Sequence, residues 1–129
     1  MTVKAKADGS VLAYSNTSGS PVAAGDVVVV GNLIGVALDT MAATTGTGAL
    51  AIQGIYTCPK VADVSDHAIA QGEAVTWIAA SSAFDTAATK ASENDITTCC
   101  IAVAAAETAA TTVDVLLNVS PGVITPGTK

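Results

Sequence analysis

The stretch AAGDVVVVGNLIGVAL, residues 23–38, decides how the chain folds. Its segment 27–30 is a run of β-branched valines, which is too short for a helix and suits a pleated strand. Gly31 and Asn32 follow, and both tolerate the positive φ that a tight turn requires. A second aliphatic segment, 33–38, then begins. The stretch therefore predicts a β-hairpin of two buried strands, and its glycines interrupt it well before the roughly 20 apolar residues that a membrane-spanning helix needs.

Strands and turns of the same kind are predicted along most of the chain, because β-branched residues recur between Gly, Pro, Asn and Ser clusters. The predicted strands cover residues 11–14, 27–30, 33–38, 49–56, 74–79, 97–104 and 111–119, and Gly54 interrupts the fourth of them. Residues 39–48 and 80–95, rich in Ala, Ser and Thr, are expected to be loops. A short polar segment, 63–71, is expected to contain a helical turn.

Two parts of the sequence resemble each other. Residues 23–28 (AAGDVV) parallel 70–75 (AQGEAV), and residues 34–37 (IGVA) parallel 101–104 (IAVA). An Ala/Thr-rich loop and a further strand follow in each copy. Two such units predict an all-β domain with at most one or two short helices, built as a small β-barrel or sandwich from two pseudo-repeats.

The length of 129 residues fits a single domain. Residues 1–18 are expected to form an N-terminal arm, because a polar lead precedes a Ser/Asn/Gly turn cluster. Residues 19–119 are expected to form the β-rich domain. Two Pro-Gly pairs within residues 120–129 predict a flexible C-terminal tail.

Composition and charge limit the kinds of partner. The formal net charge is −6, with only five basic residues, so there is no basic cluster to neutralise nucleic-acid phosphates. No basic segment followed by an apolar one marks a secretory signal at the N-terminus. A core of Ala and Val buries little apolar area per residue, which favours an oligomer in which further surface is buried between subunits.

No constellation of residues predicts catalysis, a cofactor or a metal. His67 is the only histidine, so no histidine-based metal site can form within one chain. It is expected to be a solvated loop residue. Residues 46–51 fit a loose dinucleotide-binding fingerprint, but a strand follows where that fingerprint needs a helix. Cys58, Cys99 and Cys100 are expected to be reduced thiols, with the last two on opposite faces of a strand. The sequence predicts a protein that is not an enzyme.

An ordered set of motifs in this chain resembles phage capsid cement proteins, also called head decoration proteins. The matching segments are residues 25–38, 54–56, 59–60, 71–77 and 101–117, and the resemblance extends over roughly 19–119. It implies a β-rich domain that trimerises on the outside of an icosahedral head and clamps the lattice of the major capsid protein. Synthesis in the cytoplasm of a bacterial host follows from such a role. The segment 79–95 is longer than the family pattern.

Candidate contact residues follow from this resemblance and from the character of the arm. The arm is expected to order on the capsid by adding a strand to a sheet edge, through Thr2, Val3, Lys4, Lys6, Val11 and Leu12. Tyr56 and Trp77, on predicted strands, are expected to lie in the core or in contacts between subunits. Deletion of residues 2–12 is expected to leave a folded trimer that does not bind capsids.

Two other classes of function compete with this prediction. A capsid-attached or tail-attached domain that binds a host surface would use loops 39–48 and 80–95, which lack aromatic anchors. A carrier domain of the biotinyl or lipoyl kind would need an exposed lysine at a hairpin tip. Lys60 follows Pro59 and Lys90 lies in an Ala/Ser/Thr-rich loop, so neither lysine suits that role.

Overall fold

The computed structural model describes residues 9–63, 66–87 and 91–126. Over these residues the chain forms β-strands and no helix, so the all-β prediction is confirmed. The strands are β1 (Val11–Ser15), β2 (Val27–Val30), β3 (Leu33–Ala37), β4 (Thr47–Ala51), β5 (Ile55–Pro59), β6 (Ala74–Ile78), β7 (Ala83–Asp85), β8 (Ile96–Ala102), β9 (Thr112–Leu116) and β10 (Val123–Ile124). In the described part of 63–71 there is no helical turn; Ile69 instead forms a β-bridge with Ala106.

The strands form two antiparallel sheets. The first has the order β1-β4-β3-β2, and the second has the order β5-β9-β8-β6-β7, with β10 also paired to β8. The hairpin predicted for 23–38 is present as β2 and β3, with Val30 opposite Leu33 beside the turn. In the second sheet Lys60, directly after β5, forms a parallel bridge with Phe84 of β7. This sheet curls strongly but does not close into a barrel, and the whole arrangement is sandwich-like.

The predicted duplication is visible as two halves with the same strand pairing, but one of its matches is wrong by two residues. The amides of Ala37 and Ala102 donate to the carbonyls of Asp26 and Glu73, so residues 34–37 correspond to 99–102 and not to 101–104. In the first half β1 pairs with β4, β4 with β3 and β3 with β2. In the second half β5 pairs with β9, β9 with β8 and β8 with β6, in the same order. The strand predicted over 49–56 is divided near Gly54, as expected, and its two parts belong to different sheets: the chain leaves the first sheet after Ala51 and enters the second at Ile55.

Hydrogen bonds at the turn before β2 recur at the turn before β6. The carboxylate of Asp26 accepts from the Ala23 amide at 2.9 Å, and that of Glu73 accepts from the Ala70 amide at 3.1 Å. The glycine between each pair has a positive φ, 94° in the first half and 86° in the second, which a residue with a Cβ rarely adopts. The repeated Ala-x-Gly-Asp/Glu sequence therefore specifies one turn geometry twice.

The two halves differ in the connection between their second and third strands. In the first half, a two-residue turn joins β2 to β3. In the second half, the longer segment 79–95 joins β6 to β8, and its strand β7 pairs with the outer edge of β6. The prediction of a loop over 80–95 is wrong at this point. Phe84 is fully buried and packs edge-on against Trp77, with ring centroids 5.1 Å apart, so one aromatic anchor orders a segment of small polar residues.

The hydrophobic core has two parts. The larger part lies mainly within the second sheet, and Ile34 and Val36 of β3 pack into it from the first sheet. The smaller part consists of three fully buried residues, Ala37, Met41 and Leu50. The apolar side chains packed around this smaller cluster are only partly buried: Leu12, Tyr14, Val22, Val28, Val30 and Ile52. The first half is therefore the less completely covered of the two.

The segment after β9 joins the halves. Gly122 exchanges two hydrogen bonds with Asn32 of the β2–β3 turn: its amide donates to the Asn32 carbonyl at 3.1 Å, and Asn32 Nδ2 donates to its carbonyl at 2.7 Å. A Cβ at position 122 would clash with Cγ2 of Ile96, so the close approach requires glycine. The prediction of a tail over 120–129 did not anticipate these contacts or β10; residues 127–129 lie outside the described part.

Candidate functional site

Only two of the six arm residues predicted to contact the capsid lie within the residues that the structure describes. Val11 and Leu12 lie in β1, and the other four, Thr2, Val3, Lys4 and Lys6, lie outside the described residues. β1 is the end strand of the first sheet and pairs with β4 over its whole length. Along its opposite edge, no strand of the described chain is paired with it. An unpaired edge of this kind can accept an added strand from a partner.

Tyr56 and Trp77, predicted as core or subunit-contact residues, both pack on the larger core. Trp77 is only 4% exposed, which leaves little of its side chain for a contact with another subunit. Tyr56 is partly buried against the same cluster and retains some accessible surface. Their packing accounts for the core alternative, and the subunit-contact alternative stays a prediction.

Seven large apolar side chains of the described residues are exposed, and two of them are Val29 of β2 and Leu38, directly after β3. Val11 and Ile55, 48% and 61% exposed, occupy the same position in β1 and β5, the first strands of the two halves. Val119 and the two residues of β10, Val123 and Ile124, are exposed beside β8. Exposed apolar groups on strand edges are typical of surfaces that bind other proteins.

His67 is not the solvated loop residue that the sequence predicts. Its Nδ1 lies 2.9 Å from the carboxylate of Asp85, a residue of β7 that is only 2% exposed, and its Nε2 lies 3.3 Å from Asp63. The imidazole therefore ties the segment after β5 to β7. Asp85 and His67 are far apart in the sequence, and no local pattern predicts their contact.

Lys60 is a buried structural lysine. It is 4% exposed, and its Nζ donates to main-chain carbonyls of the loop before β9, including that of Thr108 at 3.0 Å. Asn16 occupies the equivalent position in the first half, where its Nδ2 donates to the carbonyl of Ala42 at 3.2 Å. A lysine held in this way cannot be the exposed attachment point of a carrier domain. Lys90 lies outside the described residues.

The three cysteines are free thiols, and all are buried. Burial, reinforced by the nearby carboxylate of Asp114, raises the pKa of Cys58 to about 11, so this thiol stays protonated at neutral pH. A hydrogen bond with Cys99, together with burial, raises the pKa of Cys100. Cys99 and Cys100 lie in β8, as the sequence predicts. Cys58 and Cys100 are therefore poor nucleophiles.

Other features that would indicate chemistry are also missing from the described parts of the chain. Within 9–63, 66–87 and 91–126, no group of three or more His, Cys, Asp and Glu residues is arranged to hold a metal ion. No helix in these ranges is long and apolar enough to cross a membrane. A cavity of about 340 Å³ between the halves has Asp26 as the one titratable group among its described lining residues. A second cavity, of about 360 Å³ beside β9, is lined by Glu107 and Asp114, and neither cavity has a histidine, cysteine or lysine among the described residues that line it.

Comparison with known proteins identifies the family to which this chain is similar. A family model described as phage cement protein matches residues 6–117. No curated protein and no solved structure matches the chain. The matched range spans both halves of the fold, from the segment before β1 to the end of β9. The chain therefore belongs to the phage cement protein family, a family of structural proteins associated with the phage capsid.

Proposed function

We propose that this protein binds the outer surface of an icosahedral phage head as a homotrimer and stabilises the lattice of the major capsid protein. Family membership supports the association with the capsid. The observation that carries the finer proposal is the edge of β1, which bears the exposed side chain of Val11 and directly follows the Lys-bearing segment of the arm.

The capsid contact in this proposal consists of the arm and the first residues of β1. Thr2, Val3, Lys4 and Lys6 would meet the capsid together with Val11 and Leu12. Main-chain groups on the free edge of β1 give such a contact its affinity, and alternate side chains give it specificity. The lysines offer positive charge on a molecule whose net charge is −6, so they favour an acidic patch on the capsid.

A trimer suits this task because it multiplies weak contacts. When one subunit binds a repeating lattice, the others bind at a high effective concentration, so overall avidity exceeds the affinity of one arm by about 10² to 10⁴ when the geometry allows it. Tyr56, partly exposed on β5, is the residue we assign to the contact between subunits, with Trp77 supporting it from the core. Synthesis takes place in the cytoplasm of the bacterial host, before attachment to the virion.

Heads that lack the protein provide the test. Purified protein added to such heads is expected to bind with an occupancy visible by cryo-electron microscopy and to raise the temperature at which the heads release DNA. Deletion of residues 2–9 is the sharper variant, because deletion of residues 2–12 also removes Val11 and Leu12 from their pairing with β4. The deleted protein is expected to fold and to lose capsid binding.

A matched truncation of residues 127–129 serves as the control and is expected to bind normally. Equal occupancy of the heads by the arm deletion and the full chain would refute the role of the arm. Binding to host cells, with no binding to heads, would instead favour the alternative of a host-surface binding domain.

A further inference from the structure

One strand of the second half has no counterpart in the first half. In the second half β7 pairs with the outer edge of β6, with Phe84 directly opposite Trp77. Val30 of β2 holds the position of Trp77 in the first half, because β2 follows the Asp26 turn as β6 follows the Glu73 turn. The two-residue turn after Val30 supplies nothing equivalent to β7. We call this position, beside the outer edge of β2, the β7 gap.

Both sides of the β7 gap carry main-chain groups that the described chain does not pair. On one side, β2 is the end strand of its sheet. On the other side lies Thr17, the counterpart of Val61, whose amide donates to the carbonyl of Phe84 at 2.8 Å in the second half. Within the described residues, the Thr17 amide has no such acceptor. The gap therefore offers hydrogen-bonding groups on two sides to one extended segment.

The apolar groups that face the β7 gap are also incompletely covered. Phe84 is fully buried in the second half, where it covers Trp77. In the first half, Val28, Val30 and Tyr14 remain only partly buried around the smaller cluster. An apolar side chain from an added strand would cover them as Phe84 covers its own half.

The direction of the missing strand excludes the chain's own adjacent N-terminal segment. β7 runs antiparallel to β6, so its equivalent runs antiparallel to β2. The alternating pairings of the first sheet make that direction parallel to β1. Parallel neighbours need a crossover connection of about a dozen residues or more, and residues 2–7 precede Val11 by too few. A segment of another molecule can enter the gap without this constraint.

We infer that the β7 gap is filled by residues 2–7 of a second copy of this chain, added as a strand antiparallel to β2. This segment reads TVKAKA, in which Val3 and Ala5 alternate with Lys4 and Lys6. A strand with this pattern has one apolar face for the smaller cluster and one charged face for solvent. Val3, placed opposite Val30, would take the position that Phe84 has in the second half.

Charge favours the same occupant. The chain has a net charge of −6, and Asp26, at the start of β2, is exposed. Lys4 and Lys6 would lie on the outer face of the added strand, where they reduce this negative charge and stay available to the capsid. The inference rests on the proposed homotrimer and gives that trimer a mechanism. It assigns Thr2 and Val3 to the contact with the next copy in place of the capsid contact proposed above, and it leaves Lys4, Lys6, Val11 and Leu12 for the capsid. A segment of one copy that binds a different surface of the next is a heterologous contact, and such contacts close into a ring of three when each copy is rotated by about 120° from the last.

The test is a disulfide trap in the full chain. Val3→Cys combined with Val30→Cys is expected, after mild oxidation, to link copies into covalent dimers and trimers on a non-reducing gel. The native cysteines are buried, which keeps them out of the reaction. Val3→Cys combined with Ala105→Cys is the matched control, because Ala105 is exposed in the loop between β8 and β9 of the second half, and this pair is expected to stay unlinked.

A deletion provides a second measurement that does not depend on cysteine chemistry. Removal of residues 2–7 leaves β1 intact and is expected to raise the concentration at which the trimer dissociates at least about tenfold, through the loss of the Val3 contact and its strand pairing. Light scattering on a sizing column reports this concentration.

The outcomes separate this inference from the proposed function. The inference would be overturned if the variant that combines Val3→Cys with Val30→Cys formed no disulfide between copies, or formed one only within a single chain. If such unlinked protein is still a trimer that binds heads, the proposed function stands without the arm exchange. If the full chain is a monomer that does not bind heads, both fail.

Discussion

The side chain of Asn118 fastens the end of the second half to the first half, and its removal is expected to cost much of the protein's stability. Its Nδ2 donates to the carbonyls of Ile34 at 2.7 Å and Ile52 at 2.8 Å. Its Oδ1 accepts from the amide of Ile34 at 3.0 Å. These three bonds hold β3 and the end of the first half against the segment after β9.

Asn118→Gly is the informative substitution, because Asn118 has a φ of 52° that glycine adopts without strain. Each buried main-chain group that loses its partner costs about 1 to 3 kcal/mol, so three such groups predict a loss of at least about 3 kcal/mol. A small domain has a total stability of about 5 to 15 kcal/mol. The loss corresponds to a fall in Tm of roughly 10 °C for a chain of this size.

Asn94→Gly is the matched control. Asn94 is exposed and has a φ of 68°, so the same substitution changes the entropy of the unfolded chain in the same way. Urea unfolding at fixed protein concentration, followed by the fluorescence of the single tryptophan, gives the free energy of unfolding of both variants. Equal losses in the two variants, within about 0.5 kcal/mol, would show that the Asn118 hydrogen bonds do not hold the halves together.

Three further perturbations test other parts of the fold. Burial raises the pKa of Glu73, but three hydrogen bonds to its carboxylate outweigh burial, so the pKa is lowered overall. Because these bonds stabilise the ionised carboxylate, Glu73→Gln should cost about 1 to 2 kcal/mol at pH 7, measured by urea unfolding. The loss of stability in Glu73→Gln should shrink as the pH falls below 4.5, and a loss independent of pH would contradict the role of the carboxylate. Asp26→Asn should cost less, because the Asp26 carboxylate accepts one such bond. Gly122→Ala should lower Tm through its clash, unlike Gly19→Ala, where the added Cβ meets nothing within 4 Å. His67→Ala removes the imidazole that contacts the buried carboxylate of Asp85, and it should cost about 2 kcal/mol by thermal unfolding. An unchanged stability would mean that this contact does not stabilise the fold.

The parts of the fold that could be predicted from the sequence are those that neighbouring residues determine. The valine run of β2 and the Gly31-Asn32 turn specify a hairpin without help from the rest of the chain. The two Ala-x-Gly-Asp/Glu turns likewise each form their hydrogen bond within four residues. Because this signal recurs, the sequence also reveals that the fold has two halves.

The parts that could not be predicted depend on contacts between distant residues. β1 and β5 hold equivalent positions, but VLAYS and IYTCP share no pattern that identifies them as repeats. Gln53 and Gly54 mark the break between β4 and β5 in the sequence, but they do not show that the two strands enter different sheets. His67 and Asp85 meet only because β7 folds onto β6. The contact residues of the arm depend on a partner, so one chain cannot specify their positions.

Under the proposed function, the difference between the halves would separate stability from binding within one small domain. The insertion that carries Phe84 gives the second half its own covering strand, and this half contains most of the buried core. The first half has the same order of strand pairing, but a two-residue turn replaces that insertion. Its end strands β1 and β2 therefore each have an edge that no strand of the described chain pairs with, and Val28 and Val30 are only partly buried. An unpaired edge is a hazard for a free monomer, but it is what a protein that adds to a larger assembly requires. Transfer of the β7 sequence into the β2–β3 turn should therefore give a chain that is more stable as a monomer and that no longer assembles.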